Sequence, residues 1–416
     1  MVLLLVAAAL AADSAATSTT IDPGVWIHVR PEVRINPSFE EAAEDDEIRV
    51  TQNARAFVHA DRGLFAAHVA LQNVYVWGER PGSTSTSPAV YAHEGYLEVG
   101  SDDRWLRIGR QELHLLNGFY LSSAPWNVAG RSFDAVRGHW ENERVTLDAM
   151  GVVELAPRPP SDALTEPTRG DTLGAVFAEF TPSEDLQPAV WVMARGGGPI
   201  ESDPERRKLW VGPGARLFAT PGNTTVDLNA MVIAGRDTGR TIGAYSVIAH
   251  VGQQLGPIGV TAIFDQSSGH ACTSDPLVEG CGNDVIQNFD LSFGRNHFLR
   301  GFADQVAGVN ARDMALQLHS TPMETIRPML QAHLLQLTNP QGQWLRNGGV
   351  PQGQSWIRGN TNPNLGIEVD AILETWPHEG VAIDGGYCFF QPIGAGAQMT
   401  GSDAMHYLFV RNRFRF

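Results

Sequence analysis

The residues best equipped for chemistry in this chain are its arginines. Of 30 basic residues Lys208 is the only lysine, against 46 acidic ones, for a formal net charge of −16 over 416 residues. A guanidinium stays charged in any surroundings and offers a fork of donors matched to a carboxylate. Arg49, Arg55, Arg107, Arg411 and Arg413 each share the polar side of an alternating apolar/polar segment. Such a set could line a passage for an anionic solute by Coulomb attraction. It could equally serve as ion-pair partners for Asp148, Glu368 or Asp370, and at this point both readings stay open.

Other chemistry is sparse. His93-Glu94 and His378-Glu379 lack the second histidine of a zinc-protease motif, and there is no nucleophile elbow, phosphate loop or dinucleotide fingerprint. No enzyme, metal or cofactor is expected; a membrane-embedded hydrolase with a Ser/His site assembled in space is the minor alternative, beside an adhesive structural barrel. Cys272 and Cys281 fall in the longest connection, residues 267–309, and in an oxidising compartment they could close a small loop, the alternative being two unpaired thiols. Cys388, alone in a strand-like segment, reads as a packed small residue. The acidic run FEEAAEDDE at residues 39–47 reads as a solvated lead-in, since the spaced Asp/Asn/Gly loop of a calcium site is missing.

The elements that must position these side chains are strands. Val145, Leu147 and Ala149 alternate with Thr146 and Asp148; Val226, Leu228, Ala230 and Val232 alternate with Asp227 and Asn229; Ile367, Val369 and Ala371 alternate with Glu368 and Asp370. Turn signals separate the runs, and no long 3.6-period segment interrupts them. The acidic total argues against nucleic acid as a partner. The longest apolar run, residues 2–12, is shorter than the roughly 20 residues of a membrane-spanning helix and reads as the core of a secretory signal. Residues 1–11 are therefore expected to be a signal peptide, 12–47 an acidic lead-in and 48–416 the folded body.

Period two alone does not separate soluble sandwiches from a membrane barrel. The last segment, YLFVRNRFRF at residues 407–416, places Leu408, Val410, Phe414 and Phe416 opposite Arg411, Arg413 and Arg415. A terminal aromatic on an amphipathic strand is what the outer-membrane insertion machinery of Gram-negative bacteria recognises. The expected fold is all-β, a transmembrane antiparallel outer-membrane barrel in contact with lipid. Allowing roughly 20 residues per strand and connection gives about 18 strands, with 16 as the alternative.

LRIGRQEL at residues 106–113, followed by RSFDAVR at 131–137, resembles the alginate export porin family, and VALQNVYVWGE (69–79) and NLGIEVDAILE (364–374) fit the same texture. The resemblance runs over most of residues 48–416. It implies an 18-stranded outer-membrane channel passing an anionic, alginate-like polysaccharide or a related polar solute through an arginine-rich lumen. A general or nutrient-uptake porin of the same barrel type is the alternative. By motif position the resemblance adds Arg110 and Arg137 to the pore lining. Arg110 has the parity of Leu106 and Ile108, so either a bulge resets the register or it lies beyond the apolar band.

Overall fold

A computed structural model describes residues 18–40, 45–78, 90–155, 171–198, 205, 207–276, 281–282, 284–290, 293–294, 297, 299–320 and 323–416. The expected signal peptide lies outside the described residues, as do residues 41–44 of the acidic run.

Eighteen strands of eight residues or more follow one another around the molecule. They are β1 (Thr20–Ile35), β2 (Glu47–Arg62), β3 (Phe65–Val76), β4 (Tyr91–Ser101), β5 (Arg104–Gln111) and β6 (Phe133–Glu141). Next come β7 (Val145–Leu155), β8 (Asp171–Phe180), β9 (Leu186–Gly197), β10 (Lys208–Ala219), β11 (Thr224–Asp237) and β12 (Arg240–Leu255). The last six are β13 (Ile258–Ser267), β14 (Ala311–Ser320), β15 (Ile326–Leu337), β16 (Asn364–His378), β17 (Val381–Pro392) and β18 (Met405–Arg415). Each pairs antiparallel with the next. β1 closes the sheet on β18, with Trp26 opposite Arg415 and Ile35 opposite His406. A closed barrel leaves no strand edge, so every backbone N–H and C=O within a bilayer finds a partner. Among the described residues no helix is long and apolar enough to cross a membrane; the five-residue α1 (Ala395–Met399) sits in the last connection.

The alternation read from the sequence becomes two surfaces. Ile108, Val136, Val176, Val192, Val232 and Leu316 face outward and are exposed, forming an apolar band suited to lipid. Their neighbours point inward. Tight turns such as residues 102–103, 256–257 and 379–380 lie at the end that carries both chain termini; the two-residue turn 238–239 between β11 and β12 is an exception at the other end. The long connections lie at the other end, the arrangement of short periplasmic turns and longer external loops.

One boundary differs from expectation. The first strand is β1, inside the segment read as a lead-in, so the barrel begins at Thr20 rather than 48. Val25, Ile27, Val29 and Val33 do alternate with Trp26, His28, Arg30, Glu32 and Arg34. The acidic run at residues 39–47 is the connection between β1 and β2 rather than the end of a lead-in.

The lumen at the loop end is filled. One buried cluster packs Leu113, Phe119 and Leu121 of the β5–β6 connection and Phe289 and Phe293 of the β13–β14 connection against Trp191 and Trp210 of the wall. A second joins Phe39, Trp344 and Met399 from three further connections to Phe390 and Tyr407.

Candidate functional site

Two connections enter the bore and define it. The first, residues 112–132, is held on one side by strands β1 to β3: Arg30 Nη1 donates to the Trp126 carbonyl at 2.7 Å and Gln72 Nε2 to the Ala129 carbonyl at 2.7 Å. On the far side Asn117 Nδ2 reaches Asp227 of β11 at 3.0 Å, so the loop crosses the bore. The ring of Trp126 stacks on His297 of the second connection at 3.8 Å between centroids, with the guanidiniums of Arg30 and Arg411 at 4.3 and 4.9 Å.

The second, between β13 and β14, places its described residues 299–303 over a strongly acidic sector of the wall. Asp265 (β13), Asp313 (β14), Glu368 and Asp370 (β16) are all 0 % exposed. Asp265 and Asp313 stand directly opposite in register, a like-charge arrangement that opposes sheet formation unless compensated. Compensation comes from the loop: Arg300 pairs with Asp265, the Phe302 N–H donates to Asp370 and the Ala303 N–H to Glu368. On the wall itself His333 Nδ1 meets Asp313 at 2.8 Å. Gly301, with φ 85°, is needed here twice over: a Cβ would meet Glu368 Oε1 at 2.0 Å, and the backbone conformation disfavours any side chain. Further along the loop Asp290 accepts from Arg195 at 2.8 Å, Lys208 at 2.8 Å and Trp210 Nε1 at 2.9 Å.

The expected lining residues fall as follows. Arg49, Arg55, Arg107, Arg137, Arg411 and Arg413 share the inward faces of their strands. Five of them carry an acidic partner: Arg55 with Glu112 at 2.9 Å, Arg107 with Glu98 at 2.7 Å, Arg137 with Asp148 at 2.7 Å, and both Arg411 and Arg413 with Asp384. Arg49 is half-buried at the loop end of β2. Arg110 is a correction to the motif-based expectation. The register runs without a shift from Leu97↔Ile108 to Gly95↔Arg110, so it keeps the outward parity of Leu106 and Ile108, and it pairs with Asp134 at 2.8 Å near the strand end. No bulge turns it into the bore.

Burial by itself would raise the Glu112 carboxyl, but a hydrogen bond from His93 and the charge of Arg55 hold it below its ordinary range. It therefore stays an anion and a lasting partner for Arg55. Cys272 and Cys281 form a disulfide in the second loop, and Cys388 is a buried free thiol.

Reading one strand at a time missed Arg30 and Arg34, because β1 itself was missed, and Arg300 with the acids it covers. The alternation of residues 25–34 was the available signal for the former. For the latter nothing local tells a lumen-facing loop from an external one.

The family model described as alginate export matches residues 28–411. No curated protein matches the chain. Among solved structures, OccD3 (OpdP) of Pseudomonas aeruginosa superposes with a TM-score of 0.64 at 11% identity, covering 95% of this chain and 91% of that one. OccAB2 of Acinetobacter baumannii gives 0.62 at 12% identity, with 95% and 98% covered. OpdK of Pseudomonas aeruginosa, solved with vanillate, gives 0.60 at 10% identity, again with 95% and 98% covered.

Proposed function

This chain belongs to the alginate export family of outer-membrane β-barrels, a family of channels rather than enzymes, and from that premise we propose that its bore favours carboxylate-bearing saccharides or related anionic solutes. They pass by diffusion, with no cofactor. The observation that supports the reading is the row of partly exposed guanidiniums on the inner wall, Arg49, Arg55, Arg107, Arg137 and Arg413, while Asp265, Asp313, Glu368 and Asp370 are fully buried. A solute carboxylate can share the same guanidinium forks that Glu98 and Asp148 now occupy.

A second reading, uptake of small polar nutrients, is favoured by the loop that crosses from β1–β3 to Asp227. A narrowed bore suits a compact solute better than a polymer.

Planar-bilayer recordings in a salt gradient test the proposal. An anion-selective reversal potential together with passage of oligouronates supports it, and clear cation preference would sink it. Passage of monomeric carboxylates with exclusion of oligouronates would favour the second reading.

A further inference from the structure

Between the wall and the crossing loop, residues 112–132, lies a cavity of about 380 Å³. Asn53, Arg55 and Glu94 face it from the wall, Glu112 and Pro125 from the loop, and Arg415 from β18. Glu112, 31 % exposed, and the exposed Arg415 keep it open to solvent. Most of its donors are already engaged. Arg55 donates from Nε and Nη2 to Gln72 Oε1, at 2.9 and 2.7 Å, and from Nη1 to Glu112 Oε1 at 2.9 Å.

The acceptors are open. Asn53 is 1 % exposed; its Nδ2 donates to the Val128 carbonyl, which fixes the orientation of the amide and leaves Oδ1 buried with no partner. Glu112 uses Oε1 for both Arg55 and His93, at 2.9 and 2.8 Å, and Glu94 uses Oε1 for the Glu112 N–H at 3.1 Å. His68 Nε2 at 3.7 Å and Arg55 Nη1 at 4.0 Å stand beyond hydrogen-bond length from Glu94 Oε2. Asn53 Oδ1 and one oxygen on each glutamate are therefore left for a donor from outside. With the histidines neutral, Glu94 and Glu112 against Arg55 give this part of the cavity one net negative charge.

Arg415 is the opposite case. Its guanidinium has no ion pair or hydrogen bond among the described residues. It stands in one cross-strand row with Trp26 and Arg55, and two strand spacings, roughly 10 Å, separate β18 from β2. Open acceptors with negative charge on one side and an unpaired guanidinium on the other complement an ammonium joined to a carboxylate. We propose that the cavity is a subsite for zwitterionic solutes whose two groups are several bonds apart, as in an ω-amino acid or an aminohexuronate. The ammonium sits among Asn53, Glu94 and Glu112, and the carboxylate on Arg415. The inference rests on the channel reading above and adds to it a class of solute with no net charge, which an anion preference does not select.

Calorimetric titration of the full chain in detergent, corrected for titration into empty micelles, tests this with four probes. Two are zwitterions, 6-aminohexanoate and a 2-amino-2-deoxyhexuronate; hexanoate and hexylammonium each carry one of the charges. At least one zwitterion binds the wild type about tenfold more tightly than either single-charge probe, and which one does so tells a chain from a ring as the frame of the solute. Arg415→Gln lowers zwitterion binding to the level of hexylammonium, and Glu94→Gln lowers it to the level of hexanoate. Heat-modifiable gel migration checks that each variant is folded, and Arg415→Gln, at an exposed position, answers the question even where Glu94→Gln does not fold. Zwitterions that bind no better than the single-charge probes, or that bind either folded variant as tightly as the wild type, overturn the subsite. A cation-selective reversal potential with intact, Arg415-dependent zwitterion binding would instead remove the anion preference and keep the subsite.

Discussion

Asp384 accepts from two guanidiniums at once, Arg411 and Arg413, and is only 2 % exposed. Removing one partner of a buried pair leaves an uncompensated charge, at a cost of about 3–5 kcal/mol; Arg413, 31 % exposed, keeps some access to solvent and places the site at the low end. Asp384→Asn should lower the temperature at which the folded form converts on a gel and move the reversal potential toward anions, and no change in either would show that the pair is dispensable. The inward placement of Arg49, Arg55, Arg107, Arg411 and Arg413 was legible because parity is a property of one strand. Their partners were not, since Glu98 and Asp148 lie on neighbouring strands whose register the chain does not announce. Arg110 follows the parity of Leu106 and Ile108 and not its motif position, because the β4–β5 register carries no shift there.

The two inward connections set the behaviour of the bore. His297 is enclosed by Trp126, Phe302, Asp304, Arg30 and Arg411. Burial pushes its imidazole below the ordinary value of 6.5, against the pull of Asp304 and with the help of the two arginines. The docked state thus favours the neutral ring, and a proton is taken up more readily when the loop is undocked. Docking is unaffected above pH 6.5 and weakens as pH falls below it. Conductance should become noisier and larger as the loop side is taken from pH 7 to 5, and His297→Phe, which keeps the stack, should abolish the change. A flat pH profile in the wild type would count against His297 as the sensor. At this scale the number eighteen was legible from length and most of the strands from alternation, but β1 lies outside the segment from which that number came. The path of residues 268–310 was not legible, because its anchors, Asp265, Glu368 and Asp370, are supplied by other strands.

For the whole molecule the acidic total misleads in a specific way. Among the described residues nine acidic side chains are buried against four arginines, Arg30, Arg195, Arg300 and Arg411, so the −16 of the chain is not the charge that a solute meets in the bore. The outer surface obeys a different rule. Val176, mid-strand in β8 and 56 % exposed, faces lipid. Val176→Arg should cost about 2–4 kcal/mol of folding stability in vesicles, measured by denaturant titration, and a neutral result would mean that this face does not meet hydrocarbon. Five ion pairs of the inner wall have a common geography. Glu98 and Arg107 join β4 to β5, Arg137 and Asp148 join β6 to β7, Asp171 and Arg195 join β8 to β9, Arg216 and Asp227 join β10 to β11, and Asp384 and Arg411 join β17 to β18. Each lies within a single hairpin. Where no loop residue shares the pair, as in β4–β5 and β6–β7, such a hairpin is an electrically self-contained cassette, so duplicating or deleting it would change the bore's circumference by two strands while leaving its charge balance nearly untouched, a route by which barrels of different width can share one kind of lumen.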